Sequence, residues 1–315
     1  MPAVSVIIPT YDRPRLLRRA VESARSAGES VEVVVVDDAS TDETARVCAS
    51  IRGIRYVRVE SNRRVAGARN VGLLVSSAEY LSFLDDDDLR LPGSLDEQVA
   101  LLQSRPEAGV AYGQALVADQ AGAAAGRPYP ASCPQGDVFW QLLRRNFIPC
   151  GSAVFRRSCL YRVGLLDDTA PGLDDWDLWI RIAELYPVAA LEKPVGVWRK
   201  SSPASGQGSS RAAALVARCR RQWLESWVRL PRARGATDAE RRKAWRDFSA
   251  NMANHLVCEA GRAFACGRLS QAALSASAAL HLFPVEVARA PFDRARVRAL
   301  LGRLQSKWST LEARP

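Results

Sequence analysis

Two clusters of carboxylates dominate the chemistry open to this 315-residue chain. One is the unbroken run Asp85, Asp86, Asp87, Asp88; the other is Asp174, Asp175 and Asp177 within GLDDWDLWIRIAEL. Adjacent carboxylates repel, so four of them at the end of an apolar segment are costly unless a cation neutralises them. Carboxylate oxygens suit hard ions such as Mg2+ and Mn2+, which keep waters and substrate phosphates as their remaining ligands. Taken alone, the run reads equally well as a solvated acidic turn or helix start. An EF-hand is excluded: counted from Asp85, its sixth and twelfth positions hold Arg90 and Asp96 where Gly and Glu are required.

The second cluster has two readings as well. Helix N-capping explains one or two of its aspartates, at about 1 kcal/mol each. Three within four positions, flanked by Trp176 and Trp179, also fit a site where one carboxylate takes a proton and an aromatic ring faces a sugar. Tryptophans three apart on a helix fit core packing too. Elsewhere, Thr10, Tyr11, Asp12 and Arg13 follow one apolar run, and Asp37 and Asp38 end another. A tyrosine there can stack on a base, and a carboxylate can accept a hydrogen bond from a uracil-type N–H. Neither run is followed by GxGxxG or GxxxxGK[ST], so a dinucleotide-binding Rossmann enzyme and a P-loop NTPase lose their main signal. Phosphates would have to be held by a metal and by Arg. The two histidines, His255 and His281, lie in the last third, so no His-rich metal centre and no Ser-His-Asp triad forms around the N-terminal motifs.

The elements that position these residues follow from hydrophobic period. Val4 to Pro9 is a short, continuous, β-branched run, which predicts a strand buried on both faces. From Pro14 to Ala27, Leu16, Leu17, Ala20, Val21 and Ala24 recur with a helical period. A second strand, Val31 to Val36, stops at Asp37 and Asp38, and its helix begins after Ser40 and Thr41 with Asp42 and Glu43 in the first turn. A strand at Ile54 to Val59, a helix from about Ala66 to Ser76 and a strand at Tyr80 to Leu84 continue the alternation and end on the four aspartates. Such alternation predicts an α/β protein with an open, mostly parallel sheet, helices on both faces, and ligands beyond the carboxyl ends of the strands. Further on, the pattern gives a helix to about Ser104, a strand near Val110 to Val117 and a Gly/Ala/Pro-rich loop from Ala121 to Gln135. A helix from Asp137 to Arg145, a strand at Ser152 to Arg156 and a helix from about Asp177 to Leu185 follow, and SSPASGQGSS at 201–210 reads as an active-site lid or a linker.

Composition narrows the setting. No stretch reaches the roughly 18 to 20 apolar residues of a membrane span, and the N-terminus enters VSVIIP without a basic, apolar leader, so export and membrane insertion are not expected. Seven scattered cysteines with no CxxC pair argue against a disulfide framework and a zinc ribbon, and fit a reducing cytoplasm. The net charge of +10 is concentrated: residues 1–200 carry 24 Lys and Arg against 26 Asp and Glu, whereas residues 201–315 carry 20 against 8. A cationic tail can seek anionic lipid, nucleic acid or an acidic protein, or simply be a solvated helical surface. It carries no recognised nucleic-acid motif and no interleaved aromatic platform, so a nucleic-acid partner is not expected.

With these motifs in place, the chain resembles the family 2 glycosyltransferases of GT-A fold over roughly residues 3–205. VSVIIPTYDRP is similar to the family's opening strand and nucleotide loop, VVVVDDASTDET to its second strand and NRRVAGARNVGL to its Arg-Asn helix; FLDDDD resembles its metal-binding motif and GLDDWDLWIRIA its acceptor-site acidic motif. The resemblance implies a catalytic domain over 1–205, with a nucleotide-binding half at 1–90 and an acceptor half at 91–205, and a separate basic α-helical region at 206–315. It implies that Pro9, Thr10, Tyr11, Arg13 and Asp38 surround the nucleoside and that Arg69 orders the nucleotide. Asp85 and Asp87 then frame a DxD pattern next to the diphosphate, Asp87 and Asp88 are the direct metal ligands, Asp86 lies between them in the cofactor-binding run, and Asp175 is the general base. The implied activity is inverting transfer of a sugar from a UDP- or dTDP-sugar, with Mg2+ or Mn2+, to a saccharide or lipid-linked acceptor, as in polysaccharide biosynthesis. Three departures stand out: Arg64 replaces a turn Gly, Asp174 replaces a Glu, and VWRKSS at 197–202 lacks a His. They keep open a second reading, a non-catalytic sugar-nucleotide or glycan-binding protein on the same fold.

In the basic tail, Val216, Cys219, Trp223 and Trp227 form one stripe of an amphipathic helix within 211–229. That stripe predicts either peripheral contact with the inner face of an anionic membrane or packing on the rest of the protein. Residues 260–284 resemble a single tetratricopeptide-like helix pair turning at Gly267 and stopping at Pro284, for which a plain helical hairpin is the expectation.

Overall fold

A computed structural model of the protein describes residues 1–119, 128–199 and 212–289. The stretch 201–210 and residues 121–127 of the loop at 121–135 lie outside these described residues. The chain divides into two compact units, Met1–Ser209 and Ser210–Pro315.

The first unit is built on one eight-stranded sheet. Its strands are β1 (Val4–Thr10), β2 (Val31–Asp37), β3 (Ile54–Arg58), β4 (Tyr80–Phe83), β5 (Leu89–Arg90), β6 (Val110–Ala118), β7 (Ala153–Arg156) and β8 (Val188–Arg199). The helices are α1 (Pro14–Ser26), α2 (Thr44–Ser50), α3 (Arg64–Val75), α4 (Ser94–Ser104), α5 (Phe139–Leu142), α6 (Arg157–Val163) and α7 (Asp174–Leu185). The strand order is β3-β2-β1-β4-β7-β6-β8-β5. The first four strands pair in parallel, as does β6 with β8, while β7 runs antiparallel to β4 and β6, and β5 antiparallel to β8. The expected α/β sheet is therefore present, parallel through its first half and mixed through its second.

Pleating explains why both faces are covered. Successive side chains of β1 point to opposite faces, and all seven are buried. Val4, Val6 and Ile8 join Val33 and Val35 in the cluster that includes Leu17, Ala20, Val21 and Ala24 of α1 and Leu95, Val99 and Leu102 of α4. Ile7 points the other way, onto α3, where a Cβ added to Gly72 would overlap its Cγ2 methyl. The chain runs from β1 outward to β2 and β3, then returns to β4 on the opposite side of β1. The carboxyl ends of β1 and β4 thus form a topological switch point, the place where an open α/β sheet leaves a crevice for ligands.

Several elements differ from the sequence expectation. Helix α2 starts at Thr44, because Asp42 turns its carboxylate onto the Thr44 N–H at 2.9 Å instead of entering the helix. Helix α5 has four residues where nine were expected, with Phe147 and Ile148 buried in the connection that follows. Strands β5 and β8 and helix α6 were not anticipated. Helix α7 begins at Asp174, so its acidic residues lie in the first turn, where the helix dipole favours them, and no side chain caps it.

In the second unit, a helix at Ala212–Glu225 precedes a 28-residue helix at Asp238–Ala265 and another at Leu269–Leu282. The long helix opens on a capping box, Thr237 with Glu240. The stripe Val216, Cys219, Trp223 and Trp227 is buried within this unit, with Trp223 stacked on Phe248 at 5.9 Å and against Trp245 at 4.8 Å. The helix pair turns at Gly267, whose φ is +72°, as expected, but Pro284 starts a short helix, Pro284–Arg289, rather than ending the structure. Among the described residues no helix is long and apolar enough to cross a membrane.

Candidate active site

Register fixes the site. Thr10 pairs with Asp37, and Ile7 with Phe83, so the loops after β1, β2 and β4 leave the sheet at one edge. Asp38 is tied to β1 by its N–H, which donates to the Thr10 carbonyl at 2.9 Å, and its Oδ1 accepts from the Arg63 N–H at 2.7 Å. Burial pushes the Asp38 carboxyl upward against that hydrogen bond. Tyr11 is 46% exposed at the rim, Pro9 is buried in β1, and Asp12, at a φ of +51°, accepts from the Thr41 N–H at 2.7 Å to bind the first two loops together.

The four aspartates do not face one way. Asp86 turns inward, accepting from Thr10 Oγ1 at 2.8 Å and Arg13 Nη1 at 3.1 Å, and so locks the end of β4 to the end of β1. Burial pushes it to about 7 even with the Arg13 charge opposing. Arg13 also reaches Asp87 Oδ2 at 3.2 Å. Asp88 is buried and accepts from the Arg199 N–H at 2.8 Å at the far end of β8. Carboxylate oxygens of Asp85, Asp87 and Asp88 all lie within 4.8 Å of one another. Burial first and mutual repulsion second push Asp87 and Asp88 above the ordinary carboxylate range, so the cluster as it stands resists carrying its full negative charge. Three convergent hard oxygens in that state fit a divalent cation.

Arg69 joins this cluster to the second one. It is 3% exposed, its guanidinium lies 5.2 Å from the Phe83 ring, and it binds Asp85 through Nη2 and Asp174 Oδ2 through Nη1 at 2.5 Å. Beside Asp174 in the first turn of α7, Asp175 is half-buried. Burial, reinforced by Asp174 and opposed by Arg69, pushes it to about 7. Its Oδ1 accepts from the Trp176 N–H at 2.7 Å and its Oδ2 from Asn146 Nδ2 at 3.3 Å.

Thr10, Arg13, Asp85 to Asp88, Arg69 and Asp175 all fall into one connected site. Arg69, expected to order a nucleotide, has its guanidinium between two carboxylates. The tryptophans beside Asp175 are core: Trp179 is 1% exposed against Phe155 at 5.5 Å, and Trp176 is buried with its Nε1 donating to the Leu142 carbonyl at 2.8 Å. Asp177 is paired with Arg181 at 2.7 Å along its own helix. Asn146, which donates to Asp175, was missed, as were Tyr129, whose Oη donates to the Asn146 carbonyl at 2.6 Å, and Cys150, whose thiol is pushed up by burial beside Arg69 and Asp175. Each is a neutral residue in an irregular stretch, and neither period nor charge marks it.

Comparison with known proteins places this geometry. The model of the family described as Glycosyl transferase family 2 matches residues 5–164. A protein of Rickettsia felis named "Uncharacterized glycosyltransferase" is 30% identical over 230 residues, which is 70% of this chain and 38% of that protein; the chain thus spans well under half the length of this relative. The crystal structure of S. aureus TarS 1-349 in complex with UDP-GlcNAc superposes with a TM-score of 0.57 at 15% identity, covering 87% of this chain and 90% of that one. Mannosyltransferase PcManGT from Pyrobaculum calidifontis, in complex with GDP-Man and Mn2+, superposes with a TM-score of 0.55 at 22% identity, covering 97% and 88%. At these identities the two structures establish a shared fold.

Proposed function

The chain belongs to the family 2 glycosyltransferases and has the GT-A fold, and on that premise we propose that it is an inverting transferase moving a sugar from a UDP- or dTDP-sugar to a saccharide or lipid-linked acceptor. The observation that carries this reading is the Arg69 bridge, which puts the acidic loop after β4 and the acidic start of α7 in one site at the switch point. On this reading a site for a diphosphate and a site for proton removal are neighbours.

In this reading Asp87 and Asp88, with Asp85 in reach, hold Mg2+ or Mn2+. When bound, the cation supplies Lewis-acid stabilisation of the charge that develops on the departing diphosphate. Tyr11, exposed at the rim, stacks on the base, and the Asp38 carboxylate accepts from its ring N–H. Arg13 exchanges part of its hold on Asp87 for the phosphates. Asp175 takes the proton from the acceptor hydroxyl, whose oxygen attacks the anomeric carbon from the side opposite the leaving group, so the configuration inverts. With its carboxyl near 7, Asp175 is a usable base at neutral pH and still basic enough to drive the transfer. The reading places the protein in the cytoplasm, meeting lipid-linked acceptors at the inner face of the membrane, with the second unit's basic helices and exposed Phe264, Leu269 and Leu280 as the contact.

A thermal-shift screen of nucleotide sugars with and without Mn2+ tests it, since a ligand that binds the folded state raises the melting temperature. The reading expects a rise with UDP- or dTDP-sugars that depends on Mn2+ and vanishes in Asp87→Ala. A shift with no nucleotide sugar, or one indifferent to the cation, goes against it.

A further inference from the structure

Asp175 is held by one side chain that the family motifs do not include. Asn146 lies between α5 and the turn at Cys150–Ser152, and three hydrogen bonds fix it. Its Oδ1 accepts from the Ile148 N–H at 3.1 Å, its carbonyl accepts from Tyr129 Oη at 2.6 Å, and its Nδ2 donates to Asp175 Oδ2 at 3.3 Å. The first bond settles which way the amide faces. An oxygen must meet the Ile148 N–H, so the NH2 group is the one turned to the carboxylate. Tyr129 is itself anchored, exchanging backbone hydrogen bonds of 2.7 and 2.9 Å with Ala115 of β6. Asn146 is thus mounted on the sheet, while Asp175 rides on α7.

The carboxylate therefore receives one N–H on each oxygen, from Trp176 on Oδ1 and from Asn146 on Oδ2. Two such donors fix the plane of the group and leave lone pairs for an incoming hydroxyl. We propose that Asn146 is a positioning residue for sugar transfer, holding the Asp175 carboxylate in the orientation in which it takes the acceptor proton. This rests on Asp175 being the base.

The charged and titratable neighbours of Asp175 come from every element around it: Asp174 on α7, Arg69 on α3, Asp85 after β4, Cys150 before β7, and Tyr129 with Arg145 beside it. Arg69 favours its ionised form through charge, and the Trp176 and Asn146 N–H groups favour it through hydrogen bonds. Removing Asn146 should raise the proton affinity of Asp175 and free its rotamer.

The test uses the full chain, free of divalent metal, labelled at the Asp carboxyl carbons for NMR titration. The Asp175 signal is identified by its loss in Asp175→Asn. In Asn146→Ala the Asp175 midpoint should move up by about one pH unit, and in Asn146→Asp, which keeps the volume but adds a like charge, it should move further. Binding of UDP with Mn2+ should stay within about twofold of wild type in both variants, since Asn146 touches none of the donor-side residues. With a UDP-sugar that wild type turns over, kcat in Asn146→Ala should fall about tenfold to a hundredfold at unchanged donor KM, and its pH limb should move with the NMR midpoint. A midpoint unmoved in both variants overturns the proposal, and so does a moved midpoint with unchanged kcat. If wild type turns over neither UDP- nor dTDP-sugars, the proposed transfer and with it the reading of Asp175 as its base fail, while the titration still decides whether Asn146 governs that carboxylate.

Discussion

Replacing Arg69 by Met probes the bridge on which the site depends. Methionine fills most of the space without the charge, so the loss measured is electrostatic more than steric. The two partners differ in weight. The Asp174 side chain is 5% exposed, and breaking a buried pair by removing one partner costs about 3–5 kcal/mol, because the remaining charge is left uncompensated. The Asp85 side chain is 38% exposed, and a pair of that kind is worth about 1 kcal/mol or less. The expected loss is therefore about 3–5 kcal/mol, nearly all of it from Asp174. Against a typical stability of about 10 kcal/mol, the middle of the usual range, such a loss leaves the variant folded. Arg69→Lys keeps a charge but cannot fork between two carboxylates, and should lie between Met and wild type. Urea denaturation of the three proteins at pH 7 and again near pH 5 is the assay. The Met penalty should shrink at the lower pH, where an unpaired buried carboxylate can take a proton. A loss below about 1 kcal/mol at pH 7 would refute the reasoning, since it would mean that Asp174 does not depend on Arg69.

Four further expectations follow from local geometry. Asp175 and Asp86 sit at about 7 in the folded protein against an ordinary 3.8, so these two groups bind more protons in the folded chain than in the unfolded one between those values; without divalent metal, their contribution to stability should be full below about pH 4 and be lost as pH rises through 7, with added Mn2+ reducing the loss. Transfer should run the opposite way, rising with pH through the same region as Asp175 ionises, and a rate–pH profile beside a denaturation series checks both signs. Arg64 holds a φ of +59°, a left-handed conformation that costs a residue with a Cβ about 1 kcal/mol, so Arg64→Gly should be neutral to stabilising by about that amount in chemical denaturation. Gly72→Ala should destabilise by about 1–3 kcal/mol by the same measure, because the added methyl meets the stiff, buried Ile7.

How much of this was legible depended on the range of the interactions. The run VSVIIPT announced a strand covered on both faces because every residue of β1 is buried, and the spacing of Leu17, Ala20, Val21 and Ala24 announced the face of α1. The left-handed turn at Gly267 was readable from one residue. Strand β8 was not: Glu192, Lys193 and Pro194 interrupt its pattern, and its pairing with β6 shifts register between Gly113 and Ala115, which only the neighbouring strand explains. The insertion of β7 between β4 and β6 is likewise set by distant contacts. In the site, carboxylates were visible because a buried acid must be answered by something, whereas nothing in RRNFIP marks Asn146. Trp176 and Trp179 fit both core and sugar platform until their burial placed them in the core.

The central claim, that one acidic loop serves the donor and the start of α7 serves the proton, is tested most directly by comparing Asp175→Asn with Asp87→Ala in two assays, calorimetric binding of UDP with Mn2+ and turnover of the UDP- or dTDP-sugar that wild type transfers. Asp175→Asn should bind like wild type and lose about a hundredfold to ten-thousandfold in kcat, while Asp87→Ala should lose the Mn2+-dependent binding itself. Equal loss of binding in both variants, or transfer undiminished in Asp175→Asn, would contradict the account.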